Sequence, residues 1–320
     1  MSMLNQVPFF QELRNAKRIL IAGAGGGFDV YCGLPLYFAL QALDLQVYLA
    51  NLSFSRLERS TSEIVFPYCR RVVASDRLRS NSKYFPEKYL AEWFLTQNQQ
   101  ISIYAFEKTG VKNLKRAYNY LIKEHDIDTL ILIDGGTDSL MFGDEEGLGT
   151  PEEDSCSLAA VYQSNVRKQF LVCLGFGIDH FHGVSHYHFL ENVAQLSKDG
   201  GFIGSFSLTG AMDEFVKYRE ALSYANKRMP ERPSIVSNSI VSAIEGHYGD
   251  HHRTERTAGS TLWINPLMSL YWCFHLAPVV KKMQYYPLIR NSKTMHEISG
   301  QIAAYRRGLT QFRSKQQIPI

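Results

Sequence analysis

Residues 17–52 read KRILIAGAGGGFDVYCGLPLYFALQALDLQVYLANL. The apolar run 17–22 has the length and composition of a strand, and Gly23, Gly25, Gly26 and Gly27 make a turn after it. Residues 28–44 keep helical spacing despite Gly33 and Pro35, and 46–52 reads as a second strand. Strand, helix and strand in this succession form a βαβ unit, which pairs its strands in parallel through a right-handed crossover. The expected fold class is therefore α/β and Rossmann-like, with a mainly parallel sheet and helices on both faces.

The rest of the chain continues the alternation. A helix is expected over 86–97, a strand over 101–106, and a helix over 111–124 with Leu114, Ala117, Tyr118 and Leu121 on one face. The nearly continuous apolar runs 128–133 and 169–174 suit strands covered on both faces. A helix through Val193 and Leu196, a strand over 202–206 and a helix capped by Thr209 and reaching about Arg228 follow. Residues 53–80, with Arg56, Arg59, Arg70, Arg71, Arg77 and Arg79, show no assignable pattern and read as an excursion from the sheet. Beyond Pro230 a helix precedes a basic, histidine-rich loop, and the aromatic run 262–276 fits a strand or a helix. With no repeat, low-complexity tract or linker, the reading is one α/β domain over 1–320, less regular from about 230.

Composition limits the partners. With 34 Lys+Arg against 31 Asp+Glu the net charge is +3, so there is no global field for nucleic acid. Five scattered cysteines without a C-x-x-C pair favour buried reduced thiols and a cytoplasmic location. Residues 1–18 lack the apolar core and cleavage site of a secretory signal. The uncharged run 262–280 carries Asn265, Pro266, Ser269, His275 and Pro278, which favours a buried element over a membrane span.

Glycines between a strand and a helix let backbone N–H groups approach a phosphate or another anion. A dinucleotide fingerprint would need glycine or alanine at Phe28 or Val30, and an acid where Asn51 closes the second strand, so NAD is not expected. A P-loop is also absent from the sequence. Asp29 either meets a ligand hydroxyl or cation, or favours the positive end of the helix. For Gly23, Gly25, Gly26, Gly27 and Asp29, ligand binding and a tight structural turn both remain open.

Residues 130–154 read LILIDGGTDSLMFGDEEGLGTPEED, an apolar strand running into an acidic, glycine-broken loop. Loops at the carboxyl ends of parallel strands share one edge, so GAGGG, DGGTDS and the later GFGIDH are expected to converge. Two carboxylates about 4 Å apart repel by about 4 kcal/mol at an effective dielectric near 20, so clustering calls for a cation, raised pKa values or separation by water. Asp134, Asp138 and Glu145 are the candidate ligands for Mg²⁺ or Mn²⁺, or a set that holds ligand hydroxyls. Gly135, Gly136 and Thr137 are candidate ligand-binding residues, Thr137 through its hydroxyl unless that closes a turn. The plain alternative is a solvated acidic loop. Thr150, Pro151 and Glu153 have capping-box spacing, which assigns Glu152 and Glu153 to a helix start.

Asp179, His180, His182, His186 and His188 follow the next strand. His182 and His186 have one-turn spacing but lack the Glu of H-E-x-x-H, and His182 is a candidate general acid or base, with capping or packing as the alternative. His247, Asp250, His251, His252, Arg253 and Arg256 offer positive charge for an anionic substrate, or simply a polar surface. A G-x-S-x-G elbow is not found.

At GAGGGFDVYCGLPL, DGGTDSLMFGDEEGLGTPEED and GIDHFHG the chain resembles the uncharacterised family called domain of unknown function 1152, from about Lys17 to beyond His252. The resemblance implies a shared α/β fold and a shared pocket, and carries no substrate. The expectation is an enzyme that hydrolyses, or transfers a group from, a nucleotide, sugar phosphate or similar small anionic metabolite, with Asp138, Glu145 and His182 as catalytic residues. The alternative is a non-catalytic sensor using the same loops. Neither nucleic acid nor a membrane is an expected partner, and self-association stays open.

Overall fold

The computed structural model describes residues 6–79 and 83–318. Residues 1–5 of the stretch read for a leader, and residue 80 at the end of the unassigned segment, lie outside them. Among the described residues the strands are β1 (Arg18–Gly23), β2 (Gln46–Leu52), β3 (Glu63–Phe66), β4 (Cys69–Val72), β5 (Ile103–Phe106), β6 (Thr129–Gly135), β7 (Lys168–Leu174), β8 (Phe202–Ser207), β9 (Gly249–Asp250), β10 (Trp263–Ile264) and β11 (Leu270–His275). Nine of them form one sheet in the order β3-β4-β5-β2-β1-β6-β7-β11-β8, and β9 pairs with β10 apart from it. The five central strands β5, β2, β1, β6 and β7 are parallel. Both edges are antiparallel.

Alternation of side chains across each central strand builds two cores. Leu20, Ala22, Leu130 and Leu132 face one, under helices Val111–Glu124 and Pro151–Tyr162. Ile19, Ile21, Ile131 and Ile133 face the other, under Leu34–Gln41, Pro86–Thr96 and Asp213–Arg228. Each of these leucine and isoleucine side chains, fully buried, contributes about 1.5–3 kcal/mol of transfer free energy. Strands buried on both faces explain the near-continuous apolar runs in the sequence.

Strand order positions the site. From β1 the chain moves outward through β2 to β5, then returns to β6 on the other side of β1. The order reverses between β1 and β6, and the loops leaving their carboxyl ends diverge there to open a crevice.

Four details differ from the sequence reading. The helix over 28–44 is two helices, Asp29–Cys32 and Leu34–Gln41, because Pro35 sits in the first turn of the second and lacks an N–H to continue the first. Residues 53–80 are not an excursion: β3 and β4 extend the sheet beyond β5, where Arg71 pairs with Glu63 and Arg70 with Glu107 at 2.8 Å. The helix ending at Arg228 starts at Asp213 after Met212, so Thr209 does not cap it. The aromatic run resolves into β10, a short turn Pro266–Ser269 and β11, which inserts between β7 and β8 and leads into helix Leu276–Lys282. Helix Ile235–Ile244 opens the less regular part, capped where Ser234 Oγ accepts from Ser237 N at 3.0 Å. All five cysteines are free and buried. Among the described residues no helix is long and apolar enough to cross a membrane.

Candidate functional site

The crevice at the β1/β6 reversal is a cavity of about 600 Å³. Gly25 and Gly26 reach it from the loop after β1 and Asp29 from the helix start that follows, Asp134 and Gly135 from the carboxyl end of β6 and Asp138 from the turn after it, and Ile178, Asp179 and His182 from the loop after β7. The three motifs converge. Asp154 comes in from the first turn of Pro151–Tyr162, so five aspartates share one cavity.

Four of these carboxylates are held by local N–H and O–H groups. Asp29 Oδ2 accepts from Gly25 N at 2.7 Å and Gly26 N at 3.0 Å. Asp134 Oδ2 accepts from Ser139 Oγ at 2.5 Å and Ser139 N at 3.3 Å. Asp138 Oδ2 accepts from Thr150 N at 2.8 Å and Thr150 Oγ1 at 2.9 Å. Asp179 Oδ2 accepts from Thr137 N at 2.6 Å and Thr137 Oγ1 at 3.3 Å. Asp154 differs: its Oδ1 is buried and has no hydrogen-bond partner among the described residues. Carboxylate oxygens of Asp29, Asp134 and Asp154 lie within 4.8 Å of one another.

Burial and mutual repulsion act in the same direction here. Burial, then the charge of Asp134, raises the pKa of Asp29 well above the usual carboxylate range. Burial, then Asp138, pushes Asp134 up to about 7. Asp154 and Asp179 are raised well above the range by burial and then by Asp138 and Asp134, and burial raises Asp138 as well. The protein thus has carboxylates whose ionised forms lack sufficient positive charge around them.

Backbone without side chains makes room for this crowding. A Cβ at Gly25 would lie 2.6 Å from Asp154 Oδ1. One at Gly136, whose φ is +152°, would lie 2.6 Å from Asp179 Oδ2. Gly23 abuts Asn51 and Asp29, while Gly27 accepts a hydrogen bond on its carbonyl from Asn51 Nδ2 at 2.9 Å. Asn51 also donates to the buried Glu87 at 2.8 Å, so the residue at the usual ribose position fastens the glycine turn.

Several sequence candidates sit elsewhere or act differently. Glu145 does not line the cavity. It is fully buried, accepts from Phe142 N at 2.9 Å, Gly143 N at 2.8 Å and Asn192 Nδ2 at 2.7 Å, and pairs with Arg313 at 2.6 Å. Thr150 precedes the helix as expected but makes no side-chain cap; its hydroxyl serves Asp138. Glu153 pairs with Lys108 at 2.6 Å in place of closing a capping box. His182 ends the turn Ile178–His182 and His186 begins helix His186–Lys198, so their one-turn spacing does not place them on one helix face. The rings near His186 are those of Phe176, at 5.2 Å, and His180, at 5.3 Å. His182 lines the cavity and, when protonated, favours ionised Asp138. Of the later polar group only Arg256 reaches the cavity.

Asp154, Lys108 and the role of Asp179 were missed as site features. An acid in a first helical turn has a sufficient local explanation, and Lys108 stands in a connection without motif character. The signal that could have found Asp154 is the spacing of a second buried acid twenty residues after Asp134, on a helix that must pack against β6.

The family described as protein of unknown function (DUF1152) matches residues 74–311. That range includes the acidic and histidine loops and begins after the glycine turn. No curated protein and no solved structure gives a significant match to the chain.

Proposed function

We propose, from the premise that this chain belongs to the DUF1152 family of proteins of unknown function, that the cavity is the active site of a divalent-cation-dependent enzyme acting on a phosphorylated small molecule. One observation carries the reading: three carboxylates converge within 4.8 Å, and one of them, Asp154, keeps a buried oxygen without a partner. Removing ionised carboxylates from water without compensation is costly, and an all-oxygen donor set suits Mg²⁺ or Mn²⁺ better than softer metals. The strand order β5-β2-β1-β6-β7, with its reversal beside the cavity, supports a Rossmann-like description and a ligand at that place.

Asp29, Asp134 and Asp154 hold the cation. When bound it supplies charge neutralisation and Lewis acidity toward a phosphoryl oxygen. The glycine turn does not hold the anion by itself, since the N–H groups of Gly25 and Gly26 are already directed to Asp29. Lys108 and Arg256, on the cavity wall, supply the protein's positive charge to the substrate. Asp138, with a raised pKa and a carboxylate oriented by Thr150, takes a proton from the attacking water or hydroxyl. As the attacking oxygen bonds to phosphorus and the bond from phosphorus to the leaving oxygen breaks, His182 gives that oxygen a proton, which is hydrolysis when water attacks and group transfer when a hydroxyl does.

Calorimetric titration with Mn²⁺, followed by a screen of phosphorylated metabolites for turnover, tests the reading. The expected result is binding that Asp154→Asn weakens at least about tenfold, about 1.4 kcal/mol, and turnover that Asp138→Asn abolishes. Absence of Mn²⁺ binding, or turnover indifferent to both substitutions, removes it. A ligand that stabilises the protein and is never converted moves the assignment to a sensor.

A further inference from the structure

Two large apolar rings border the cavity without being buried by the fold. Phe181 is 71% exposed in the turn Ile178–His182, between Asp179 and His182. Phe54 is 44% exposed, with its ring against the backbone of Gly26 and Gly27. Both line the cavity that the aspartates line. A single exposed ring needs no explanation, whereas two at the rim of one concave polar site give it an apolar border, in which Phe181 is the more open to a planar ligand.

The cationic groups are arranged around them. Lys108 Nζ lies 4.2 Å from the centroid of the Phe54 ring and 2.6 Å from Glu153 Oε1, which fixes its ammonium at the rim. Arg256 is anchored by Nη1 donating to the Pro233 carbonyl at 2.8 Å. Carboxylates on the floor, two cations on the walls and an open aromatic face separate the site into a part that needs a metal-bridged phosphate and a part that needs a flat apolar group. A volume of about 600 Å³ accommodates both in one molecule.

We infer that the substrate is a nucleotide, its phosphate directed to Lys108 and Arg256 and its base stacked on Phe181. The phosphate half rests on the cation-dependent reading; the stacking half does not. Base stacking on an aromatic side chain is sequence-tolerant, so the class is nucleoside phosphates without a stated base.

Binding of three probes, adenosine 5′-monophosphate, ribose 5-phosphate and adenosine, is measured with and without Mn²⁺ on the whole protein and on Phe181→Ala. Because Phe181 is exposed, that substitution leaves the core untouched. The nucleotide is expected to bind about tenfold or more tighter than the sugar phosphate. Phe181→Ala removes that difference, weakens adenosine equally and leaves ribose 5-phosphate unchanged. Lys108→Ala weakens both phosphates and spares adenosine. Equal affinity for the nucleotide and the sugar phosphate, or an equal loss for both in Phe181→Ala, overturns the inference while leaving the cation site standing. If Mn²⁺ does not bind, the cation reading fails and adenosine decides: binding that depends on Phe181 sustains the stacking site, and no binding overturns it.

Discussion

Asp154 shows how a residue can be a liability to the fold and an asset to a site. Its side chain is buried in the first turn of its helix, one oxygen has no partner, and Asp138, Asp134 and Asp29 all oppose its ionisation. Replacing it by asparagine removes a group whose ionisation the fold opposes while keeping its shape. Asp154→Asn is therefore expected to stabilise the metal-free protein by about 1–2 kcal/mol, a rise in Tm on the order of 3 °C for a chain of this size. Thermal unfolding in the presence of a chelator measures it, and a lower Tm would contradict the repulsion argument. The sequence marked Asp29, Asp134 and Asp138 because each sits beside glycines at a strand's carboxyl end. It hid Asp154 behind an adequate local role, and Asp179 behind the histidines that follow it. Long-range convergence of single side chains leaves no trace in local spacing.

At the scale of elements, the acidic loop divides in function. Its first part, through Asp138, and its end, from Thr150 to Asp154, face the cavity, while its middle, Asp144 to Glu146, is held by the C-terminal segment. Arg313 donates to Asp144 Oδ1 at 3.0 Å through Nε and 2.7 Å through Nη2, to Glu145 at 2.6 Å, to Asn192 Oδ1 at 3.1 Å, and also to Glu191. The backbone follows, Arg313 N donating to Asp144 O at 2.8 Å and Glu146 N to Arg313 O at 2.9 Å. Removing one partner of a buried pair leaves an uncompensated charge and costs about 3–5 kcal/mol. Arg313→Met should lower stability by that order, and the double variant with Glu145→Gln should recover more than about 1 kcal/mol of it. Denaturant unfolding of the four proteins checks the coupling. Mn²⁺ affinity of Glu145→Gln should match that of the wild type; a tenfold loss would return Glu145 to the cation site. The same contrast runs through the fold. The apolar runs of β1, β2, β6 and β7 and the helix Val111–Glu124 were legible because period and length are local properties. The outer pair β3 and β4, which carries Glu63, Arg70 and Arg71, and the insertion of β11 between β7 and β8 were not, because outer strands tolerate charge and the joins of β4 to β5 and of β11 to β7 and β8 link segments far apart in sequence.

For the whole molecule the carboxylate cluster sets a pH dependence of unusual sign. Most folded carboxylates have depressed pKa values, and stability falls as they are protonated. Here the folded-state values of Asp29, Asp134, Asp138, Asp154 and Asp179 are raised, Asp134 to about 7. Between the unfolded carboxylate value near pH 4 and about pH 7, the unfolded chain has released the proton that folded Asp134 retains. The unfolded state then binds fewer protons, so stability falls as pH rises through that window, by up to about 1.4 kcal/mol per pH unit for each group that titrates fully within it. Above the folded value the loss is complete. On the proposed reading a divalent cation binds the ionised set, and at a hundredfold excess over Kd it would restore about 2.7 kcal/mol. Calorimetric scans of the metal-free protein should therefore show Tm declining from pH 5 to pH 8, and Mn²⁺ should raise Tm little at pH 5 and most at pH 8. In Asp134→Asn the metal-free decline should flatten and the Mn²⁺ response should shrink together, because one set of oxygens carries both. A wild-type profile that instead rises across this range, with a Mn²⁺ shift independent of pH, would mean that these carboxylates are ionised and compensated without a cation.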